Sequence, residues 1–358
     1  MDSIKYTAIG VMSGTSLDGV DLACCDFFFD DNKWSFEISH SITQDYDEKW
    51  KRRLSDLPQE NAKVYALTHV EYGHYLGKLI AGFIKENNLN PDIIASHGHT
   101  IFHQPESGFT AQIGDGAAIA AETGIKTVCD FRSLDLALGG QGAPLVPIGD
   151  EFLFSDFDYC LNLGGIANIS FKEKNQRIAF DICPANMPLN LLVNDFDGRD
   201  YDFNGELAAS GNINQQLLDQ LNGLSFYKKS FPKSLGKEWF DAEFLPIIEK
   251  CNIPIEDKLR TVVEHTAIQI SKCCKTDAEA KMLITGGGAL NQFLISRIKH
   301  YCSVNVITPE KNIIDNKEAL IFAFLGVLRL TEEINTLSSV TGARTNSSGG
   351  GIYNPPCS

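Results

Sequence analysis

The residues with the clearest chemical potential lie near the start of the 358-residue chain, in Gly10-Val-Met-Ser-Gly-Thr-Ser-Leu-Asp-Gly-Val-Asp21. Glycines let the backbone approach a ligand, and the hydroxyls of Ser13, Thr15 and Ser16 can donate to phosphate oxygens. Asp18 and Asp21 can hold a hydrated Mg²⁺. On composition alone an ordinary polar hairpin turn is an equal alternative. Two more glycine turns follow apolar runs: Asn162-Leu-Gly-Gly-Ile-Ala-Asn168, with Gly164 and Gly165, and Thr285-Gly-Gly-Gly-Ala-Leu-Asn291, with Gly286, Gly287 and Gly288. Backbone amides with no side chain in the way suit a phosphate or a nucleotide ring. Neither a Walker A sequence nor Gly-x-Gly-x-x-Gly occurs, so P-loop and dinucleotide-binding chemistries lose their main support. His97, His99 and His103 could be taken for a metal triad, but no cysteine or carboxylate completes a zinc set beside them.

These residues need elements to hold them. Tyr6 to Met12 reads as a buried strand, and Val20 to Phe29 as its hairpin partner across the polar turn. The pattern is echoed at Asp158 to Leu163 and Ile166 to Phe171, with a third strand at Arg177 to Asp181. Two halves that each open with such a hairpin suggest a duplication. Between and after them helix and strand signals alternate. Helices are expected near Glu60 to Asn87, Ala117 to Glu122, Asn186 to Asp195 and Ile255 to Cys274, then from Asn291 and from Lys317 to Glu333. Strands are expected at Ile93 to Ala95, Ile125 to Cys129, Met282 to Thr285 and Val304 to Ile307. This is an α/β pattern with a mixed sheet in each half. The Gly- and Asp-rich stretch Asp195 to Gly211 reads as a surface loop, and Ser338 to Gly351 as a closing segment.

Composition sets the outer limits. With 31 Lys+Arg against 46 Asp+Glu, the net charge is −15. Such a surface is repelled by nucleic acid and by anionic lipid, which excludes both as main partners. Hydrophobic content of 43% and charged content of 22% fit a globular protein of about two domains. The longest uncharged apolar stretch, around Ala319 to Leu328, falls short of the roughly 20 residues of a membrane span. The start carries no basic segment leading into an apolar run, so the expected location is cytoplasmic. The ten cysteines include two adjacent pairs and no Cys-x-x-Cys, which points to free thiols in a reducing compartment.

The three glycine turns resemble the two phosphate loops and the adenosine motif of the actin, Hsp70 and sugar-kinase superfamily. A closer resemblance, to the anhydro-N-acetylmuramic acid kinase family, rests on Met12-Ser-Gly-Thr-Ser-Leu-Asp-Gly-Val-Asp21, Ser96-His-Gly-His-Thr100 with His103-Gln-Pro105, Asp130-Phe-Arg132 with Asp135, and Gly139-Gly-Gln-Gly-Ala-Pro-Leu-Val-Pro147. It continues through Asn162 to Asn168, Pro232-Lys-Ser234, Thr285 to Gly288, and Val340-Thr-Gly342 with Gly351-Ile-Tyr353, in family order.

The resemblance implies an α/β, two-domain actin-like ATPase (ribonuclease H-like) fold with a mixed sheet in each domain and a cleft between them. The expected domains are 1–130 plus 336–358, with the first phosphate loop, and 131–335, with the second phosphate loop and the adenosine motif. It implies ATP and Mg²⁺ as cofactors, a sugar as substrate, and suggests a homodimer. The implied reaction phosphorylates 1,6-anhydro-N-acetylmuramic acid at O6 while water opens the anhydro bridge, in peptidoglycan recycling. By position Gly14, Thr15, Ser16, Asp18, Gly19 and Asp21 would face the nucleotide and metal, and the two later glycine turns would face the nucleotide. Asp181 matches the family's general base, although an N-cap ahead of Asn186 is an equal reading of the residue itself. His97, Arg132, Asp135, Asn186 and Glu318 would meet the sugar, Arg132 through its lactyl carboxylate. For Arg132 and Asp135 the alternative is a structural salt bridge, and for Glu318 a first-turn acid favoured by the helix dipole. The family run Asp-Thr-Gly-Pro-Gly-Asn is here Asp181-Ile-Cys-Pro-Ala-Asn186, so a hydroxyl and two glycines are lost. A related sugar kinase with another acceptor, or a non-catalytic nucleotide-responsive protein, are the alternatives this departure leaves open.

Overall fold

The computed structural model describes residues 4–14, 17–275 and 277–355. The chain divides into two compact units, Met1–Leu153 with Asn316–Ser358, and Phe154–Asp315.

The first unit is built on one mixed sheet. Its strands are β1 (Ile4–Ser13), β2 (Gly19–Asp30), β3 (Lys33–Asp45), β4 (Ile93–Gln104), β5 (Phe109–Ile113), β6 (Thr127–Cys129) and, near the chain end, β12 (Gly351–Tyr353). The order is β12-β6-β4-β1-β2-β3, with β5 paired to β4. β1, β2 and β3 form an antiparallel meander, whereas β4 lies parallel to β1 and β6 parallel to β4. Both faces of the central strands are covered, which is why they read as nearly unbroken apolar runs. Ile9, Val11, Val20, Leu22 and Cys24 pack with Tyr72, Leu76, Ile80 and Phe83 of the helix Ala62–Asn87. That helix starts where the Asn61 side chain accepts from Lys63 N and Val64 N, and stops at left-handed Asn88. The opposite face meets the helix Lys311–Leu330, where Phe27 packs on Phe324 with ring centroids 5.3 Å apart.

The second unit repeats the plan. Its strands are β7 (Tyr159–Leu163), β8 (Ile166–Glu173), β9 (Gln176–Pro184), β10 (Lys281–Thr285) and β11 (Asn305–Ile307), in the order β11-β10-β7-β8-β9. Again an antiparallel meander is followed by two parallel strands on the far side of its first strand. This doubled 3-2-1-4-5 order is the ribonuclease H-like, actin-like arrangement that the sequence resembles. Its core gathers Leu161, Ile169 and Ile284 with Leu189 and Val193 of the helix Asn186–Asp197 and Val262 and Val263 of the helix Ile255–Ser271.

Several elements differ from the expectations. β3 is absent from the sequence expectations although Trp34, Phe36, Ile38 and Ile42 alternate with polar residues along it; it is an edge strand, largely exposed. β4 runs past Ala95 to Gln104 and turns into β5. The stretch 195–211 is not all loop, since Asn186–Asp197 continues into it and Glu206–Ser210 is helical. The last long helix begins at Lys311 rather than Lys317, its first turns tied by a Lys311–Asp315 ion pair. No helix among the described residues is long and apolar enough to cross a membrane.

Gly10 belongs to this packing rather than to a ligand. A Cβ there would sit 1.8 Å from the Ala319 carbonyl oxygen, so β1 and the helix Lys311–Leu330 touch through bare backbone. Gly10→Ala is therefore expected to destabilise by about 1–3 kcal/mol or more, read as a lower Tm. Gly82→Ala, on a helix turn where a Cβ meets nothing within 4 Å, should hold or raise it.

Candidate functional site

In the first unit the turn between β1 and β2 places the candidate phosphate loop. Thr15 and Ser16 lie outside the described residues. Ser13 is not available to a ligand: its buried hydroxyl bonds Tyr46 Oη at 2.6 Å and His99 Nδ1 at 2.8 Å, and Tyr46 in turn bonds Tyr72. Burial holds His99 down at about 4, so the ring is neutral in this chain of hydroxyls. Beyond Gly14, Leu17 adopts φ 61°, a conformation that costs a bulky residue on the order of 1–3 kcal/mol and that clusters at functional loops. Asp18 follows on the surface. Gly19 is required by the fold, because a Cβ would meet the Gln44 carbonyl oxygen at 2.5 Å. Asp21 accepts from Thr43 Oγ1 at 2.6 Å, and its charge helps to raise the carboxyl of Glu318.

Arg132 organises a second group in the same unit. Its Nε and one terminal nitrogen donate to His97 Nε2 at 3.2 and 2.9 Å, and the other terminal nitrogen donates to the Gly142 carbonyl at 2.7 Å. His97 Nδ1 donates to the Gly98 carbonyl at 2.9 Å, which fixes the neutral tautomer. Burial, then the Arg132 charge, lower its pKa to about 3. Burial also lowers Arg132 to about 10, with Glu318 pulling the other way. The Glu318 carboxyl is raised first by desolvation and lowered by Arg132 and Lys317, although the residue itself retains exposed surface. Among the described residues these contacts leave one N–H free on each terminal nitrogen of Arg132, a pair suited to a carboxylate.

In the second unit the two later glycine turns meet around Asn186. Ala185 N and Met187 N donate to the Gly165 carbonyl at 2.8 and 3.1 Å, and Asn186 N to the Gly164 carbonyl at 3.1 Å. Asn186 Nδ2 donates to the Leu163 carbonyl at 2.9 Å. A Cβ on Gly288 would meet Asn186 Oδ1 at 2.7 Å, and one on Gly286, at φ 81°, would meet Asn162 Oδ1 at 2.5 Å. Those two glycines serve the fold. Gly164, Gly165 and Gly287 do not: a Cβ would find nothing nearer than 3.5, 3.6 and 3.8 Å. Backbone that carries no side chain and meets nothing closer than van der Waals contact is what a phosphate or nucleotide needs.

Asp181 stands beside these turns on β9. The β8–β9 register slips between Ala167 and Asn168, which face Cys183 and Asp181, so Ile182 is the extra residue of a β-bulge. The bulge sends Ile182 and Cys183 together into the core and leaves Asp181 half-buried. Its Oδ2 accepts from Leu235 N at 2.8 Å. Burial raises the carboxyl above its ordinary value, and the Leu235 N–H partly opposes this.

Comparison with known proteins decides what this arrangement belongs to. A family profile described as Anhydro-N-acetylmuramic acid kinase matches residues 6–355. The anhydro-N-acetylmuramic acid kinase of Photobacterium profundum is 35% identical over 370 residues, covering 96% of this chain and 98% of the relative. That of Francisella tularensis subsp. novicida is 37% identical over 377 residues, covering 96% and 97%. The chain belongs to the anhydro-N-acetylmuramic acid kinase family. Among solved structures, ligand-bound xylulose kinase from Lactobacillus acidophilus gives a TM-score of 0.43 at 11% identity, over 98% of this chain and 94% of that one.

Within this anhydro-N-acetylmuramic acid kinase family member, the altered run is absorbed by packing. Ile182, Cys183 and Ala185 are all buried in the apolar core of their unit. Neither Cys183 nor Ala185 adopts positive φ, Ala185 lying at φ −126°, so neither position needs the glycine it lacks. The N-cap position of the following helix is Ala185, not Asp181, which removes the capping alternative for Asp181. Two expected sugar residues have other work here. Asp135 is 1% exposed, accepting from Gly142 N at 2.8 Å and Thr341 Oγ1 at 2.7 Å, so it ties the Gly139–Pro147 segment to the Val340–Gly342 turn. Asn186 braces the glycine turns. Sequence reasoning missed Tyr46, Tyr72 and Leu235, although Pro232-Lys-Ser234 marks the segment next to the last.

Asp135→Ala should cost about 2–4 kcal/mol in urea unfolding, since two buried donors lose their acceptor. Cys183→Gly and Ala185→Gly, which restore the family residues, should each lower stability by roughly 1 kcal/mol and leave kcat unchanged.

Proposed function

We propose that the chain uses ATP and water to convert 1,6-anhydro-N-acetylmuramic acid to N-acetylmuramic acid 6-phosphate in peptidoglycan recycling. Within the family the chain belongs to, the observation that carries this reading is Asp181: a half-buried carboxylate with one oxygen held by a backbone N–H, set beside open glycine turns. As general base it takes a proton from the water that attacks C1. The C1–O6 bond breaks, and O6 is thereby released as the nucleophile for the γ-phosphorus of ATP. ADP leaves, and Asp181 returns its proton to solvent. One bond to oxygen is exchanged at each centre, so the sugar gains one phosphate and one water.

The other roles follow from what each unit offers. Gly164, Gly165 and Gly287 present backbone to the nucleotide, with Gly286, Gly288 and Asn186 shaping those turns. In the first unit Gly14, Thr15 and Ser16 contribute to phosphate binding. Arg132, oriented by His97 and the Gly142 carbonyl, offers its free N–H pair to the lactyl carboxylate, and Glu318 meets a sugar hydroxyl. Asp18, on the surface, and Asp21, steadied by Thr43 Oγ1, fit Mg²⁺ held through its waters. Bound there, the cation would neutralise charge developing on the transferred phosphoryl group. The reading places the protein in the cytoplasm, with ATP, and as a homodimer.

Mass spectrometry of the sugar after incubation with ATP should show a gain of phosphate plus water, and no gain would overturn the reading. Asp181→Asn should lower kcat by at least about 10²-fold while both ligands still bind, because a base acts on the chemical step. A base works deprotonated, and this carboxyl is raised. Activity should therefore fall as pH drops through a limb lying above the ordinary aspartate value of about 3.9. Asp18→Asn should demand more Mg²⁺ for half-maximal rate; an unchanged Mg²⁺ titration would remove Asp18 from the site.

A further inference from the structure

The segment Phe231–Leu235 lies 50 residues and more beyond Asp181 in the chain, yet it is fastened along the end of β9 at four points. The Asp181 N–H donates to the Lys233 carbonyl at 3.2 Å, and the Leu235 N–H donates to Asp181 Oδ2 at 2.8 Å. The Phe231 ring stacks on Phe180, the neighbour of Asp181, with centroids 5.5 Å apart and planes inclined by 7°. Lys233 Nζ lies 4.8 Å from the Phe226 ring centroid and 5.6 Å from that of Phe180. Its ammonium is thus occupied by aromatic faces on either side of the strap. Asn168 is the strand neighbour opposite Asp181, and it carries no charge. Among the described residues the Leu235 N–H is the one donor given to the carboxylate.

We infer that this strap is a positioning element for Asp181, acting through the Leu235 N–H, which holds Oδ2 in place and leaves Oδ1 to accept the proton of the attacking water. The inference rests on the reading of Asp181 as the base. A carboxylate on a strand end can rotate about its last torsion, and a donor fixed to one oxygen removes that freedom and stabilises the charged form. The strap is the element able to do this because Asp181 is grasped twice, by its own N–H and by its side chain, within three residues of one segment. Leu235 needs no particular side chain for the task, which is why sequence reading passed over it.

The test replaces the Leu235 amide by an ester in the full-length chain, introducing leucic acid at position 235 so that oxygen stands where the N–H was. Leu235→Ala, which keeps the N–H, and Asp181→Asn are assayed beside it, with ATP and sugar binding measured for each. The ester variant is expected to bind both ligands normally, to lose about tenfold in kcat at neutral pH, and to move the acid limb of kcat/KM to higher pH, while Leu235→Ala stays within about twofold of the wild type. An ester variant with wild-type kcat and an unmoved limb, alongside an inactive Asp181→Asn, would overturn the positioning role and leave the base intact. Loss of ligand binding in the ester variant would show the strap to be merely structural. An active Asp181→Asn would remove the base, and this inference with it.

Discussion

A sheet covered on both faces has almost no backbone to offer a ligand. In the first unit the helices Ala62–Asn87 and Lys311–Leu330 close both sides of the central strands, and the strands consume their own N–H and C=O groups in the ladder. In those central strands free backbone survives only where they end. The loops after β1, β7 and β10 are such ends, and the glycines gather there. The placing of the glycine turns follows from this one constraint, because backbone donors at strand ends suit phosphate.

The glycines at those ends have two distinct purposes. Gly19, Gly286 and Gly288 are hemmed in by backbone or asparagine oxygens, and any larger residue would push the turn apart. Gly164, Gly165 and Gly287 face nothing closer than ordinary van der Waals contact. The first set shapes the turns, and the second leaves them bare. Asn186 lies between the two turns of the second unit, bonded to the Leu163 carbonyl and close against Gly288, while the pairing of β7 with β10 sets the turns side by side.

Positioning by buried polar groups recurs in both units. Asp135 collects two segments some 200 residues apart in sequence, through Gly142 and Thr341, and the first of these carries the carbonyl that orients Arg132. His97, held neutral by burial and by the Arg132 charge, accepts from the guanidinium rather than competing with it. On β9 a single extra residue, Ile182, divides the strand so that Ile182 and Cys183 enter the core while Asp181 stays half-buried. Substitution on the core side then changes packing without reaching the carboxylate, which accounts for a departure from the family pattern so close to Asp181.

By itself the sequence determined the α/β class, the paired hairpins and the family, because glycine turns after apolar runs and periodic helices are local signals. The edge strand β3 was overlooked although Trp34, Phe36 and Ile38 alternate with polar residues there, the local signal of a half-buried strand. Tertiary structure alone decided which neighbours each candidate meets. Whether Ser13 meets a phosphate or Tyr46, whether Asp135 meets a sugar or Thr341, and whether Cys183 distorts a loop or fills a core are questions of which distant group lies within hydrogen-bond or van der Waals reach. A backbone donor such as Leu235 leaves no trace in residue type, because every non-proline residue has the same N–H and only the fold aims it.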